Sequence, residues 1–299
     1  MSERNHTGRW RAFFDSELFY NFCHSPTAVI GAVIVVLVVL IAIFGPAFTV
    51  QNPYNMSELN LADAYKPPFW LEGGDLKFLL GTDQQGRDML SAMVYGSRIS
   101  LIIGLAGTFF ASVIGITLGL VSGYFGGKTD AIIMRIADIQ MSFPSMLIAL
   151  FLMSLLGRSI TNILLSLSLV GWMRYARTVR GETLRVKKCE YIDAAHVIGL
   201  PNRQILYRHV LPNVFASIVV LSTIQVGSFI LTEATLSFLG LGVPITQPSL
   251  GMLCNDGFTV LYRGLWWVSI LPGLYIMIIV FGINLLGDFM RDEMNPKLK

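Results

Sequence analysis

The stretch Tyr191-Ile-Asp-Ala-Ala-His-Val-Ile-Gly-Leu-Pro-Asn-Arg-Gln-Ile-Leu-Tyr-Arg-His-Val-Leu-Pro-Asn213 decides how this chain is read. It is polar and basic, yet very apolar runs flank it on both sides. Ala194 and Ala195 favour a short helix from Glu190 to Leu200, and Asp193 stabilises its first turn. Gly199-Leu200-Pro201 stops that helix, because glycine suits the cap and proline cannot continue. A second amphipathic stretch, Asn202 to Arg208, then leads through Leu211-Pro212 into the next apolar run. The reading is a helix–turn–helix held at a membrane surface, with alanines small enough to fit a cleft. A lipid-binding amphipathic loop would account for the basic residues but not for the ordered helix, breaker and stop.

Composition places the flanking runs in a bilayer. Hydrophobic residues make up 54% and charged residues 14% of the 299 residues, against about 25% charged in soluble domains; the mean hydropathy is +0.62. A span needs about 20 apolar residues. Runs at Ala28–Phe48, Leu101–Gly123, Met141–Leu156, Ile160–Met173, Val214–Phe238 and Trp266–Leu286 predict an all-α protein of six transmembrane helices, the third and fourth short. The expected organisation is a polar segment 1–27, a first span 28–48, an outer segment 49–100, a five-helix core 101–287 containing the loop 178–213, and a tail 288–299.

Lys and Arg placement sets the orientation. With both termini inside, Arg4, Arg9, Arg11, Lys128, Arg135, Arg291, Lys297 and Lys299 lie inside. So do Arg174, Arg177, Arg180, Arg185, Lys187, Lys188, Arg203 and Arg208 around the loop. Only Lys66, Lys77, Arg87, Arg98, Arg158 and Arg263 remain outside. The net charge of +3 thus reflects sorting across a membrane and does not point to nucleic acid. The mixed-charge start and the lack of a small-residue cleavage site make the first span a retained anchor. Cys23, Cys189 and Cys254 form no close pair, and His6, His24, His196 and His209 share no ligand spacing, so neither a disulfide nor a metal site is expected.

Residues 9–22 place Trp10, Phe13, Phe14, Leu18, Phe19 and Phe22 at near-helical spacing, which suits a helix lying in the inner headgroup region. The outer segment holds turn formers and then Gly81-Thr-Asp-Gln-Gln-Gly-Arg-Asp88. There Thr82 or Asp83 can cap a helix starting near Gln84, with Asp83, Arg87 and Asp88 pairing within one turn. The glycines of Gly119-Leu-Val-Ser-Gly-Tyr-Phe-Gly-Gly127 lack a following Lys-Ser/Thr, so they speak for close helix packing and a turn, not a phosphate cradle. Asp130, Arg135 and Asp138 are expected to pair with one another ahead of a kink at Phe143-Pro144. In the fifth run, Gln225 and Glu233 are candidate pore or mouth residues, because a polar group in a span must face water or a partner; a salt bridge to a neighbouring subunit is equally open for Glu233.

Asp193-Ala194-Ala195, Gly199, His209 and Leu211-Pro212 together resemble the "EAA" loop of ATP-binding-cassette importer permeases, with Asp193 where the family usually has Glu and His209 where it often has Ile. Gly81, Thr82, Asp83, Gly86, Arg87 and Asp88 are similar to the periplasmic signature of the dipeptide, oligopeptide and nickel branch. Glu233-Ala-Thr-Leu-Ser-Phe-Leu-Gly-Leu-Gly242, the loop 244–252 and the closing Asn284–Leu298 also resemble that branch, so the likeness runs from about Leu80 onward. It implies the type I (MetI-like) importer fold in a bacterial inner membrane, with a coupling helix seated in an ATPase cleft. It further implies a second homologous permease, two ATPase subunits carrying ATP and magnesium, and a periplasmic or lipid-anchored solute-binding protein. No G-x-x-x-x-G-K-[ST] motif is present, so this chain is expected to be a pore subunit without cofactor or catalytic residues. Peptides are the expected cargo, with nickel chelates, glutathione or opines as alternatives. A secondary transporter or channel is the competing class, but it needs coupled intramembrane acids, for which Glu233 is the one clear candidate.

Overall fold

The structure, a computed structural model, describes residues 17–294 apart from residue 245. The first part of the expected interfacial helix, 9–16, lies outside the described residues; α1 (Glu17–His24) covers the remainder. Ser25 then accepts a hydrogen bond from the Ala28 amide, and Pro26 opens α2 (Pro26–Phe44), where its missing N–H costs nothing.

The second apolar run is part of a longer helix, α3 (Met89–Phe125). At 1.5 Å per residue it is roughly 55 Å long, so its outer turns project beyond the hydrocarbon. It is followed by α4 (Gly127–Met141) and α5 (Ser145–Leu156), whose axes differ by 87° across Ser142-Phe143-Pro144. Helix α6 (Ile160–Val186) continues well past Met173. The polar stretch folds as α7 (Glu190–Val197), α8 (Asn202–Ile205) and one π turn at Leu206–Val210, which runs into α9 (Leu211–Phe238). On the outer side α10 (Leu250–Val260) precedes α11 (Trp267–Glu293).

By length and apolarity, four segments are able to cross a membrane: Pro26–Ala47, Met89–Phe125, Asn202–Phe238 and Trp267–Glu293. The bent pair α4–α5 makes a fifth if it is counted as one span. The expected six is therefore not matched exactly. The third apolar run yields only α5, roughly 18 Å long and too short to cross alone. The fourth lies in α6, whose inner half carries Arg174, Arg177 and Arg180.

Small residues set the packing. A Cβ on Gly115 would lie 2.3 Å from the Trp172 carbonyl oxygen, and one on Gly119 would lie 2.7 Å from that of Ala176. Helices α3 and α6 thus meet backbone to backbone, the expected use of these glycines. One buried cluster joins α3, α6 and α9 through Ile103, Leu167, Tyr175 and Phe229, and continues inward to Ile192, Ile205 and Val210. The surface helix–turn–helix is therefore built onto the same core as the spans. A second cluster, with Val38, Ala92, Ile230, Leu253 and Ile279, ties α2 and α10 to the outer halves of α3, α9 and α11.

Candidate coupling site, path and outer clasp

At the inner face, α7 carries Glu190 and Asp193 in its first turn, where they complement the helix dipole. Gly199 takes φ +82°; its N–H reaches the His196 carbonyl, and the Leu200 N–H reaches that of Ala195. Such a left-handed ending is open to glycine at little cost. Ile192 and Ala195 are buried in the chain's own core. The outward face carries Asp193 and Ala194, with Val197 88% and Ile198 76% exposed. Only one of the two alanines is thus available to a cleft, and the prominent surface is the Val197–Ile198 tip that sequence reasoning missed. Leu211 and Pro212 form the first turn of α9. The His209 carbonyl accepts from the Asn213 side chain at 2.6 Å.

Tyr124, at the inner end of α3, braces this element. Its hydroxyl donates to Asn202 at 2.8 Å, its ring stacks on His196, and its carbonyl accepts from Lys187 Nζ at 2.7 Å. Nothing in the sequence separates Tyr124 from the surrounding glycine run. The charges on α4 differ from expectation too. Asp130 pairs with Arg180 through Nε and Nη2, at 2.5 and 2.6 Å, and Asp138 pairs with Arg177. They reach across to α6 because its arginines point at α4, so α4 is pinned to α6 and not braced by its own charges.

Between α5, α6 and α9 lies a cavity of about 70 Å³ bounded by Ser145, Arg174, Gln225, Ser228 and Thr232. Arg174 Nη1 stands 3.5 Å from Gln225 Oε1. A larger cavity, about 560 Å³, opens between the inner ends of α6, α9 and α11 beside Thr178, Glu182, Ser217 and Arg291. Gln225 therefore lines one of these two cavities, and Glu233 lines neither. Glu233 is fully buried and accepts hydrogen bonds from Ser100 at 2.9 Å and Ser237 at 2.7 Å. It is closed off from solvent, and among the described residues it meets no basic side chain. Its serine ring ties α9 to α3, which the isolated residue could not reveal.

The outer signature is a clasp. Asp83 accepts from the amides of Gln85 and Arg87 and from Arg87 Nε, the last at 2.6 Å. This turn, with Gly86 at φ +71°, consumes the carboxylate expected to cap a helix near Gln84. The helix starts instead at Met89, and Asp88 caps it by accepting from the Ser91 amide and hydroxyl; Asp88 takes no part in the Asp83–Arg87 pair. Thr82 binds the backbone at Asp63 and Lys66, and its carbonyl faces Trp267 Nε1 at 3.4 Å. A Cβ at Gly81 would stand 2.6 Å from the Lys66 carbonyl oxygen. Arg87 also reaches Asp256 of α10 at 3.7 Å. Burial pushes the Asp256 carboxyl up, against the opposing pull of Arg87. The six signature residues thus lock the outer ends of α3, α10 and α11 together.

Long apolar helices closed by an outer clasp and joined inside by a braced helix–turn–helix define a multi-pass membrane transport subunit. Residues 115–299 match the family model described as binding-protein-dependent transport system inner membrane component, and residues 10–68 match the N-terminal transmembrane domain of oligopeptide transport permease C. The chain belongs to this inner-membrane permease family, and it is the permease subunit of an ATP-binding-cassette importer. The oligopeptide transport system permease protein OppC of Bacillus subtilis is 39% identical over 93% of this chain and 88% of its own length. The di/tripeptide transport system permease protein DppC of Pseudomonas aeruginosa is 37% identical over 95% of this chain and 92% of its own. The glutathione transport system permease protein GsiD of Pectobacterium atrosepticum is 35% identical over 97% and 92%. A chain of the inward-facing MetNI methionine transporter superposes with a TM-score of 0.57 over 69% of this chain and 98% of its own, at 20% identity. That likeness shows the fold.

Proposed function

We propose that this chain forms one half of the translocation path for di- and oligopeptides, paired with a second homologous permease. Two ATPase subunits hold ATP and magnesium on the inner side, and a periplasmic or lipid-anchored binding protein delivers peptide from outside. The observation that carries this reading is the α7 tip: two aliphatic side chains, Val197 and Ile198, stand almost fully exposed on a short helix whose other face is fused to the transmembrane core. A soluble surface gains nothing from such a tip, whereas a cleft in a partner gains its burial. Asp193, Ala194 and Gly199 shape the same docking face, and His209, Leu211 and Pro212 carry its motion into α9. ATP binding draws the ATPases together, the tip moves with them, and the braced element rocks α3 and α9 between outward and inward openings. The chain itself supplies no reacting group.

Peptide cargo is supported by the oligopeptide and di/tripeptide systems to which the relatives belong. The glutathione-system relative supports a second reading, and since glutathione is a tripeptide the demands on the path are the same. Val197→Asp combined with Ile198→Asp tests the docking. Peptide uptake and ATPase co-purification are both expected to fall at least tenfold, while the amount of chain in the membrane is unchanged. Retained uptake would refute it.

A further inference from the structure

Arg174 stands out among the cations of α6. Its guanidinium stands 3.5 Å from Gln225 Oε1, and Gln225 lies roughly 21 Å along α9 from Leu211, midway in a helix long and apolar enough to cross a membrane. Its neighbours Arg177 and Arg180 have carboxylate partners in Asp138 and Asp130. Arg174 has none among the described residues; its guanidinium meets only the Gln225 side-chain carbonyl. The side chain is also exposed. A guanidinium turned to lipid at this depth costs several kcal/mol, so it faces a watery path or a partner.

Its surroundings select an anion. The cavity it shares with Gln225 is lined by Ser145, Ser228, Thr232 and apolar groups, with no acid among the described residues. Ser145 begins α5, whose first turn lacks a side-chain cap; its free amides add positive potential where the helix meets the cavity. Gln225, Ser228 and Thr232 recur at helical spacing, so α9 presents a continuous polar edge there. The volume, about 70 Å³, holds about two waters or one carboxylate.

We infer that Arg174, Gln225 and the amino end of α5 form a carboxylate-recognition station inside the membrane, which holds the terminal carboxylate of a peptide during passage. The identity of the carboxylate's carrier rests on the function proposed above. Arginine suits the task because its planar fork matches both oxygens and its charge persists at any working pH. Gln225 orients the guanidinium while the station is empty.

The complete importer, reconstituted in proteoliposomes with its binding protein, tests this. ATP-driven uptake of trialanine and of trialanine amide is measured at concentrations that saturate the binding protein, for the wild type and for Arg174→Gln and Arg174→Lys. The station predicts that Arg174→Gln assembles normally and loses trialanine uptake at least tenfold. It predicts that trialanine amide is imported within twofold of the wild-type rate, and that Arg174→Lys recovers part of the loss. Trialanine uptake within twofold of wild type would overturn the station. So would an Arg174→Gln complex that falls apart or loses both peptides alike, because either result assigns Arg174 to a carboxylate of the second permease. A wild type that imports neither peptide would instead overturn the peptide reading itself.

Discussion

Asp83 shows how much a single carboxylate can organise. It closes its own turn, holds Arg87, and through Arg87 reaches Asp256 on another helix. Removing one partner of a buried pair leaves a stranded charge, which costs about 3–5 kcal/mol. Asp83→Asn is therefore expected to lower the thermal midpoint of the detergent-solubilised chain markedly, as read by a fluorescence melt. Asp256 gives a pH dependence of defined sign. Its carboxyl is held above the ordinary range mainly by burial, so its contribution is fully present when protonated, below the unfolded value near about 4. The contribution fades as pH rises through the raised value. Melting points of the wild type should fall relative to Asp256→Asn between acid and neutral pH; parallel curves would remove this assignment. The signature string was legible in the sequence as a unit, but the division of labour within it was not. Which carboxylate caps a helix depends on whether the preceding turn has already consumed it, and that turn packs Gly86 against the Asn60 carbonyl, 2.2 Å from where a Cβ would stand, and Thr82 against the Lys66 amide, far away in the chain.

Helix pairs carry the next level. The Gly115/Gly119 edge of α3 has no room for a side chain against α6, whereas Gly181, exposed on α6 itself, has open space around it. Gly119→Val should therefore abolish accumulation of folded chain in the membrane. Gly181→Ala should be neutral or stabilising by up to about 1 kcal/mol. Immunoblots of membrane fractions and a detergent melt check the pair. The Tyr124 brace predicts a milder effect: Tyr124→Phe removes the Asn202 contact, worth about 1 kcal/mol, and should lower uptake more than ATPase co-purification. Helix existence was readable from apolar runs and breakers, and the Phe143-Pro144 kink marks the observed 87° turn. Helix lengths were not readable. Apolarity marks where a helix is comfortable in lipid, whereas Met89 and Val186 are ends set by an N-cap and by an ion-paired inner half, where polar residues continue the helix at no penalty. The burial of Ala195 and Glu233 was equally hidden, because both depend on which face the rest of the chain covers.

As a whole, the chain is a permease subunit clasped outside, bent by 87° between α4 and α5, packed through glycines, and exposing a braced aliphatic tip on the side favoured by its basic residues. The proposed function rests on force entering through that tip. Replacing Val197 with a photo-crosslinking phenylalanine derivative and irradiating native membranes tests this directly. A covalent adduct with an ATP-binding-cassette ATPase subunit is expected, and none when the same probe replaces the outer residue Tyr262, which is 92% exposed. An adduct only with lipid, or labelling of residue 197 by an impermeant reagent from outside the cell, would contradict it.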